Sequence, residues 1–316
     1  MSHMDHSRDT AQDCAAPTRA GSQETRNDSQ ATGESSRARL LHRWYVRLPL
    51  KWLIFGAVTF FVLFPSPGQF ARHLAHLRDM QALVEADAPR LASLEADLNR
   101  RLGPAPREPE TVQREIERLV LEKVAYCWDW DQWGSADYLP TVDEMFARAD
   151  QRGGRLQEDC DGRAVMAASL MRRMGFDARI ATDLRHVWVK TPQGEWMGPG
   201  RSETLVTTDE GSEIAWHTLL ANVPASLSFG IAVFPLGREL VILAAAFGLM
   251  LHRGMSRWAA ATGLVLLLWA LVLMRLGCLA PQATQDGASW PAWIGLACAL
   301  AGFCVLAVAS RRARRR

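Results

Sequence analysis

Cysteine is scarce in this chain. Six occur in 316 residues, at positions 14, 127, 160, 278, 298 and 304, and no two form a CxxC. That spacing excludes a disulfide scaffold and argues against a zinc ribbon or a thioredoxin-type pair. Net charge is nearly absent too: 36 Lys+Arg oppose 34 Asp+Glu, giving +2. A nucleic-acid-binding domain would carry a strongly basic face. With 15 Pro and 23 Gly, the chain is neither collagen-like nor of low complexity. No Walker loop, dinucleotide fingerprint or HExxH is present. The mean hydropathy of −0.07 reads as soluble, but it averages very unlike parts.

Residues 1–36 hold almost no large apolar side chain and are expected to be a disordered cytoplasmic tail. The segment 37–51 carries Arg37, Arg39, Arg43, Arg47 and Lys51 and no acid. An apolar run follows from Trp52, uncharged as far as Phe70, with Pro65 and Pro67 where a cleavage site would need small residues. It reads as an uncleaved transmembrane anchor over 52–70. Three further apolar stretches are expected to span the membrane, at 231–251, 259–280 and 291–310. Arg253 and Arg257 lie between the first two, and five arginines fill the tail 311–316, whereas the loop 281–290 holds Asp286 and no base. The positive-inside rule then yields four crossings, both termini cytoplasmic and everything from about Pro67 to Gly230 outside. Arg275, near the outer end of its span, is a mild exception. Leu219–Gly237 is uncharged as well, but a fifth crossing would carry the arginine tail outside. Residues 219–230 are therefore read as a linker or interfacial segment.

Outside the membrane, Phe70, Leu74, Leu77, Leu91, Leu94 and Leu98 recur mostly at helical spacing, broken at Pro89. This predicts a helical stalk over 71–104, and Pro104-Ala-Pro106 then opens a compact domain over 105–218. Two segments of that domain carry chemistry. In Glu158-Asp-Cys160-Asp-Gly-Arg-Ala164, the helical spacing of Ala164, Ala168 and Met171 and the C-terminal Gly175 predict a helix starting at Cys160. A thiol there meets the positive end of the helix dipole, which favours the reactive thiolate. In His186-Val-Trp188-Val-Lys190, alternation predicts a strand with His186, Trp188 and Lys190 on one face. If that strand passes the helix start, His186 serves Cys160 as general base.

These segments resemble the transglutaminase-like superfamily, whose core is papain-like. The likeness covers about Glu110 to Gly200 and rests on Asp137-Tyr-Leu-Pro-Thr141 with Glu144, Asp159-Cys160 with Ala164 and Ser169-Leu170, Gly175-Phe-Asp-Ala178-Arg179, and His186-Val-Trp188. The Asp137 to Glu144 stretch is similar to bacterial periplasmic cysteine proteinases of that superfamily. The resemblance implies an α+β, transglutaminase-like (papain-like) extracytoplasmic domain held by four α-helical transmembrane spans in a bacterial inner membrane. It also implies Cys160 as nucleophile, His186 as base and an amide or peptide bond as target, cleaved by hydrolysis or acyl transfer. The implied partners are the bilayer and a protein, peptide or peptidoglycan-linked substrate, with no nucleic acid.

The chain departs from the family at the third residue, where an Asp-Pro is usual and Gly198-Pro199 stands. Asp183, Glu195, Glu203 and Asp209 are the acids that could replace it. Without one, the alternative is a catalytically inactive domain that binds a peptide or glycan and scaffolds a membrane partner. A channel formed by the C-terminal spans is a further rival, disfavoured by their lack of intramembrane acids. Cys127 reads as a core thiol, with a disulfide to Cys160 as the other option, and Cys278, Cys298 and Cys304 as packing residues in spans. The Trp128-Asp-Trp130-Asp-Gln-Trp133 cluster either lines a groove or packs in the core with Asp129 and Asp131 exposed. Those two acids point to Ca²⁺ as a ligand. His73 and His76 read as a solvated or interfacial face rather than a metal pair.

Overall fold

The computed structural model describes residues 44–104, 107–183, 185–198, 203–208, 211–279 and 290–315. The expected disordered tail, most of the basic segment, the loop around Asp286 and Asp209 lie outside these residues. The chain divides into two units, Met1–Ile54 and Phe55–Arg316. Of the first, the described part is the opening of helix α1 (Trp44–Leu63). All that follows concerns the second.

Helix α1 stops at Leu63 instead of running to Phe70 as expected. A residue before proline is pushed out of the helical region, and Pro65 and Pro67 impose this twice in succession. Pro67 instead opens helix α2 (Pro67–Arg78), capped by Ser66, whose hydroxyl accepts from Gln69 N. Phe70 thereby joins α2, and its ring packs on Phe60 and Phe64 at 5.1 and 4.6 Å.

The expected stalk is not a separate element. A 3₁₀ turn (Met80–Leu83) and helix α3 (Leu91–Leu102) follow α2. Their Met80, Leu83, Leu91, Leu94 and Leu98 enter one core with Ile116, Leu119, Met166, Leu170 and Val189. An apolar stripe at 91, 94 and 98 is better satisfied on a neighbouring helix than in water, and α4 (Pro109–Lys123) supplies that neighbour. The histidines of α2 are not a solvated face either. His73 is buried and accepts from Leu139 N through Nδ1, while His76 Nδ1 bonds Leu139 O at 2.6 Å. Together they clamp the backbone of the Asp137–Thr141 segment.

Strand β1 (Ala125–Tyr126), the short helix α5 (Asp129–Gln132), α6 (Val142–Gln151) and β2 (Gln157–Glu158) lead to helix α7 (Cys160–Arg173). Thr141 and Glu144 form a reciprocal capping box at the start of α6. Helix α7 is the centre of the domain, buried at Gly162 and at every position from Ala164 to Met171. A helix apolar on all sides can only sit in a core. Strands β3 (Arg179–Thr182) and β4 (Val187–Thr191) pack on it. With β5 (Gly194–Trp196), β6 (Leu205–Thr208) and β7 (Gly211–Ile214) they form an antiparallel sheet in the order β5-β4-β3-β6-β7. A separate parallel pair joins β1 to β2.

Four apolar helices follow: α8 (Trp216–Val233), α9 (Leu236–Met250), α10 (Arg257–Leu279) and α11 (Trp290–Arg315). Among the described residues three helices are long and apolar enough to cross a membrane, at Val46–Leu63, Arg257–Gly277 and Trp290–Arg314. A fourth span exists if Ala225–Val233 and Leu236–Met250, bent by 116°, are counted as one. The expected span 231–251 is thus interrupted at Phe234-Pro235, and the expected linker 219–230 is helical. Arg275 stabilises the break. Its Nη1 donates to Ile231 O at 3.0 Å and Phe234 O at 3.1 Å, carbonyls freed there, and to the Glu239 carboxylate. Glu239 is buried, so an acid does stand among the apolar helices, matched by the arginine that looked exceptional.

Helices α10 and α11 pack through glycines, as membrane helices commonly do. A Cβ at Gly263 would lie 2.5 Å from Leu306 Cγ, and one at Gly295 would lie 3.0 Å from Ala270 O. Gly263→Leu is expected to lower the thermal midpoint of the purified protein in detergent by on the order of 5 °C. Gly248→Leu, where a Cβ meets nothing within 4 Å, should leave it nearly unchanged. Tryptophan-fluorescence melting checks both.

Candidate active site

Cys160 is the first residue of α7, as its flanking sequence predicts. Asp159 caps the helix by accepting from Asp161 N at 3.0 Å. The first turn closes tightly on Glu158, because a Cβ at Gly162 would come within 2.6 Å of Glu158 Cγ. Only glycine fits there. The Cys160 thiol donates to Asp161 Oδ1 at 3.2 Å, and the backbone N–H of Val187, which follows His186, faces the same sulfur. The strand therefore does pass the helix start.

The expected thiolate is not what these surroundings favour. Burial pushes the Cys160 thiol well above its ordinary value, and the carboxyl groups of Asp161 and Asp159 push it further; the Val187 N–H opposes them. Desolvation penalises the charged form and neighbouring negative charge adds to it, so the helix dipole is outweighed. Among the described residues no disulfide joins Cys127 to Cys160. Cys127 is a free thiol facing Trp128 O. Cys298 is half-buried and Cys304 exposed among the apolar helices.

His186 stacks on Trp188, ring centroids 6.4 Å apart and planes 12° from parallel, as residues two apart on one strand face should. Its Nε2 lies 2.8 Å from Met197 O. A carbonyl only accepts, so Nε2 carries the proton and Nδ1 is the basic nitrogen. None of the acids considered for the third position that fall among the described residues meets this ring. Asp183 Oδ1 accepts from the backbone N–H of Arg185 and His186 at 3.0 Å each. Glu195 and Glu203 pair with Lys190.

Gly198 has φ +77°, and a Cβ there would approach His186 Nε2 to 3.2 Å. The preceding Met197 also has a left-handed φ of 69°, a conformation rare for a residue with a side chain. This paired turn aims the Met197 carbonyl at the ring. It is held by Glu117, whose Oε1 accepts from Met197 N at 2.6 Å. Glu117 sits on α4, 80 residues away, and no sequence signal singled it out.

Acids crowd the other side of Cys160. Asp129 is 2% exposed, against the alternative that packs the tryptophans in the core and leaves it in solvent, and Glu158 is 0% exposed. Possible ligand atoms lie within 4.8 Å of one another in Asp129, Glu158 and Asp159 and in Asp129, Asp137 and Asp161. Asp129 Oδ2 accepts from Tyr138 N and Glu158 Oε2 from Trp133 Nε1, while Asp129 Oδ1 and Glu158 Oε1 have no partner. Burial, reinforced by mutual repulsion, raises the pKa of Asp129 and Asp161 and brings Asp159 to about 7 and Glu158 to about 8. An all-oxygen donor set suits a hard divalent cation such as Ca²⁺. Exposed Asp131 takes no part in it.

One cavity of about 1330 Å³ takes in Cys160, His186, Asp129, Asp161 and Gly198. The tryptophan cluster splits around it. Trp128 and Trp130 line the cavity and stack on each other at 4.8 Å. Trp133 packs on Tyr138.

Comparison with family models, with curated proteins and with solved structures gives no match to this chain.

Two outcomes test the electrostatics. Asp161→Asn should speed alkylation of Cys160 by iodoacetamide several-fold at alkaline pH, where the wild-type carboxyl ionises beside the thiol and its charge holds the thiol up. The acids Glu158 and Asp159 keep their protons in the folded chain to about pH 8 and 7, whereas the unfolded chain releases them near pH 4. Their contribution is whole below that and declines as pH rises to about 8. Glu158→Gln should therefore melt higher than the wild type at pH 8.5 and equally at pH 4.

Proposed function

We infer that the chain is a membrane-anchored, transglutaminase-like cysteine enzyme that cleaves or transfers an amide outside the cytoplasm. One observation carries the reading: Cys160 at a helix start and His186 at the head of the adjoining strand line one cavity, with the His186 ring held through Nε2 by a backbone carbonyl. The carbonyl of Met197 does for the imidazole what a carboxylate or asparagine does in papain-like sites: it orients the ring and leaves Nδ1 basic.

In the reaction, Nδ1 of His186 takes the thiol proton and Cys160 Sγ attacks the substrate carbonyl carbon. The tetrahedral oxyanion needs N–H donors. Asp161 N is occupied by the Asp159 carboxylate and Arg163 N by the Asp159 carbonyl, so the first-turn donors for it are the N–H groups of Cys160 and Gly162. The C–N bond breaks as His186 returns the proton to the leaving amine. Water or a second amine then attacks the thioester, releasing acid or transferred amide and restoring the thiol. A divalent cation on Asp129, Asp137 and Asp161 would neutralise the charges that oppose the thiolate.

The orientation follows from charge. A Cβ at Gly254 would touch Ala313, so the loop with Arg253 and the arginine tail share one end of the helices. The domain is joined at the other, through Ala136 N to Leu63 O and Arg238 Nη1 to Gly134 O. Basic residues favour the cytoplasm, so the domain lies outside. A reporter fused after Arg316 should be active only in the cytoplasm.

The bond from Cys160 to Asp161 and the raised thiol pKa favour a second reading, an inactive domain that binds a peptide or glycan. Labelling with a thiol-directed acyl probe separates them. The enzyme reading expects no labelling of this site in Cys160→Ala and a loss of about 100-fold in His186→Ala. Equal labelling in wild type and His186→Ala sinks it.

A further inference from the structure

The cavity at Cys160 does not end within the soluble domain. Its walls continue onto Thr59 and Leu63 of α1, the stretch Ala225–Gly230 of α8, and Phe234, Glu239 and Ile242 at and beyond the helix break. An aromatic series marks the way. Tyr126 meets Trp128 edge-on at 5.0 Å, Trp128 stacks on Trp130, and Trp130 meets Phe234 edge-on at 6.1 Å. One end of the cavity is therefore charged and holds the thiol and imidazole, while the other is apolar and built from helices of membrane-span character.

The break in the α8–α9 pair is what brings these walls to the site. Helix α8 leaves the sheet at Ala215, whose N–H bonds Thr204 O, and at its far end Phe234 is again beside Trp130 of the domain. Both of its ends thus meet the domain, and its inner face lines the cavity. Its other face exposes Trp216, Leu220 and Val223. Arg275 and Glu239 secure the bend.

Polar atoms also line the apolar end. Thr59 Oγ1, Ser226 Oγ and Glu239 Oε1 are buried without a hydrogen-bond partner. A wall of this kind is poorly satisfied by hydrocarbon alone. It suits an occupant with an alkyl chain and hydrogen-bonding groups along it.

Resting on the Cys160–His186 reading, we propose that the substrate is a lipid-linked amide. Its alkyl chain lies in the cavity between α1 and α8, and its carbonyl reaches Cys160. The cavity exceeds the volume usual for a small polar ligand, and its continuity with span helices gives a chain resident in the bilayer a route that a free peptide does not need.

The test uses the full chain in lipid nanodiscs and two chloroacetamides, N-methyl and N-tetradecyl, with alkylation of Cys160 read by peptide mass spectrometry. The tetradecyl probe should label Cys160 at least tenfold faster in wild type and in Leu220→Trp, which alters the outer face of α8. In Ser226→Trp, which fills the cavity, the ratio of tetradecyl to methyl labelling rates should fall below twofold. Unreactive N-tetradecylacetamide should also slow methyl labelling of the wild type, a measurement that needs no variant. Equal rates for the two probes in wild type, a chain-length advantage that survives Ser226→Trp, or no competition would each overturn the proposal. Failure of the enzyme reading shows separately, as methyl labelling that His186→Ala leaves unchanged.

Discussion

Helix α7 enters the core with Cys160 in its first turn, and from Ala164 to Met171 no residue of it reaches solvent. That burial governs what surrounds it. The sheet must lie against the helix, which brings β4 and the N–H of Val187 to the sulfur. Glu158 must fold onto Gly162. The acids at 129, 158, 159 and 161 are drawn out of water with the helix start and keep their protons beyond the ordinary carboxylate range. The same desolvation that assembles the thiol and imidazole thus opposes the charged form of the thiol.

The imidazole is positioned by backbone instead of by a carboxylate. Glu117 fixes the Met197 N–H, the left-handed turn at 197–198 aims the Met197 carbonyl, and that carbonyl selects the His186 tautomer. Gly198 looked like the loss of a functional acid. In the fold it stands so close to Nε2 that even a Cβ is crowded. An ion pair of a different kind organises the membrane-span region, where Arg275 joins Glu239 to the carbonyls left by the break at Phe234-Pro235. A guanidinium there offsets groups that neither water nor a continuing helix would satisfy.

Local signals carried far in this chain. The helix start at Cys160, its end at Gly175, the shared face of His186 and Trp188, and the apolar stretches are all set by neighbours in sequence: a cap, a periodicity, a run of hydrophobic residues. Boundaries were less legible. The break in the α8–α9 pair needed Pro235 to be weighed against strongly apolar flanks, and the leucines of 71–104 could not reveal whether they faced a stalk or a core.

What the sequence by itself determined, then, is where the apolar stretches lie, where helix α7 starts, and which thiol and imidazole stand at the ends of their elements, because those depend on spacing over a few residues. Only the tertiary structure decided that Asp129 is buried among four other acids while Asp131 is exposed. The same holds for the partner of His186, a carbonyl held by a glutamate 80 residues away, and for the cavity that joins the cysteine to the membrane-span helices. Those outcomes depend on desolvation and on contacts between distant elements, and no local pattern records them.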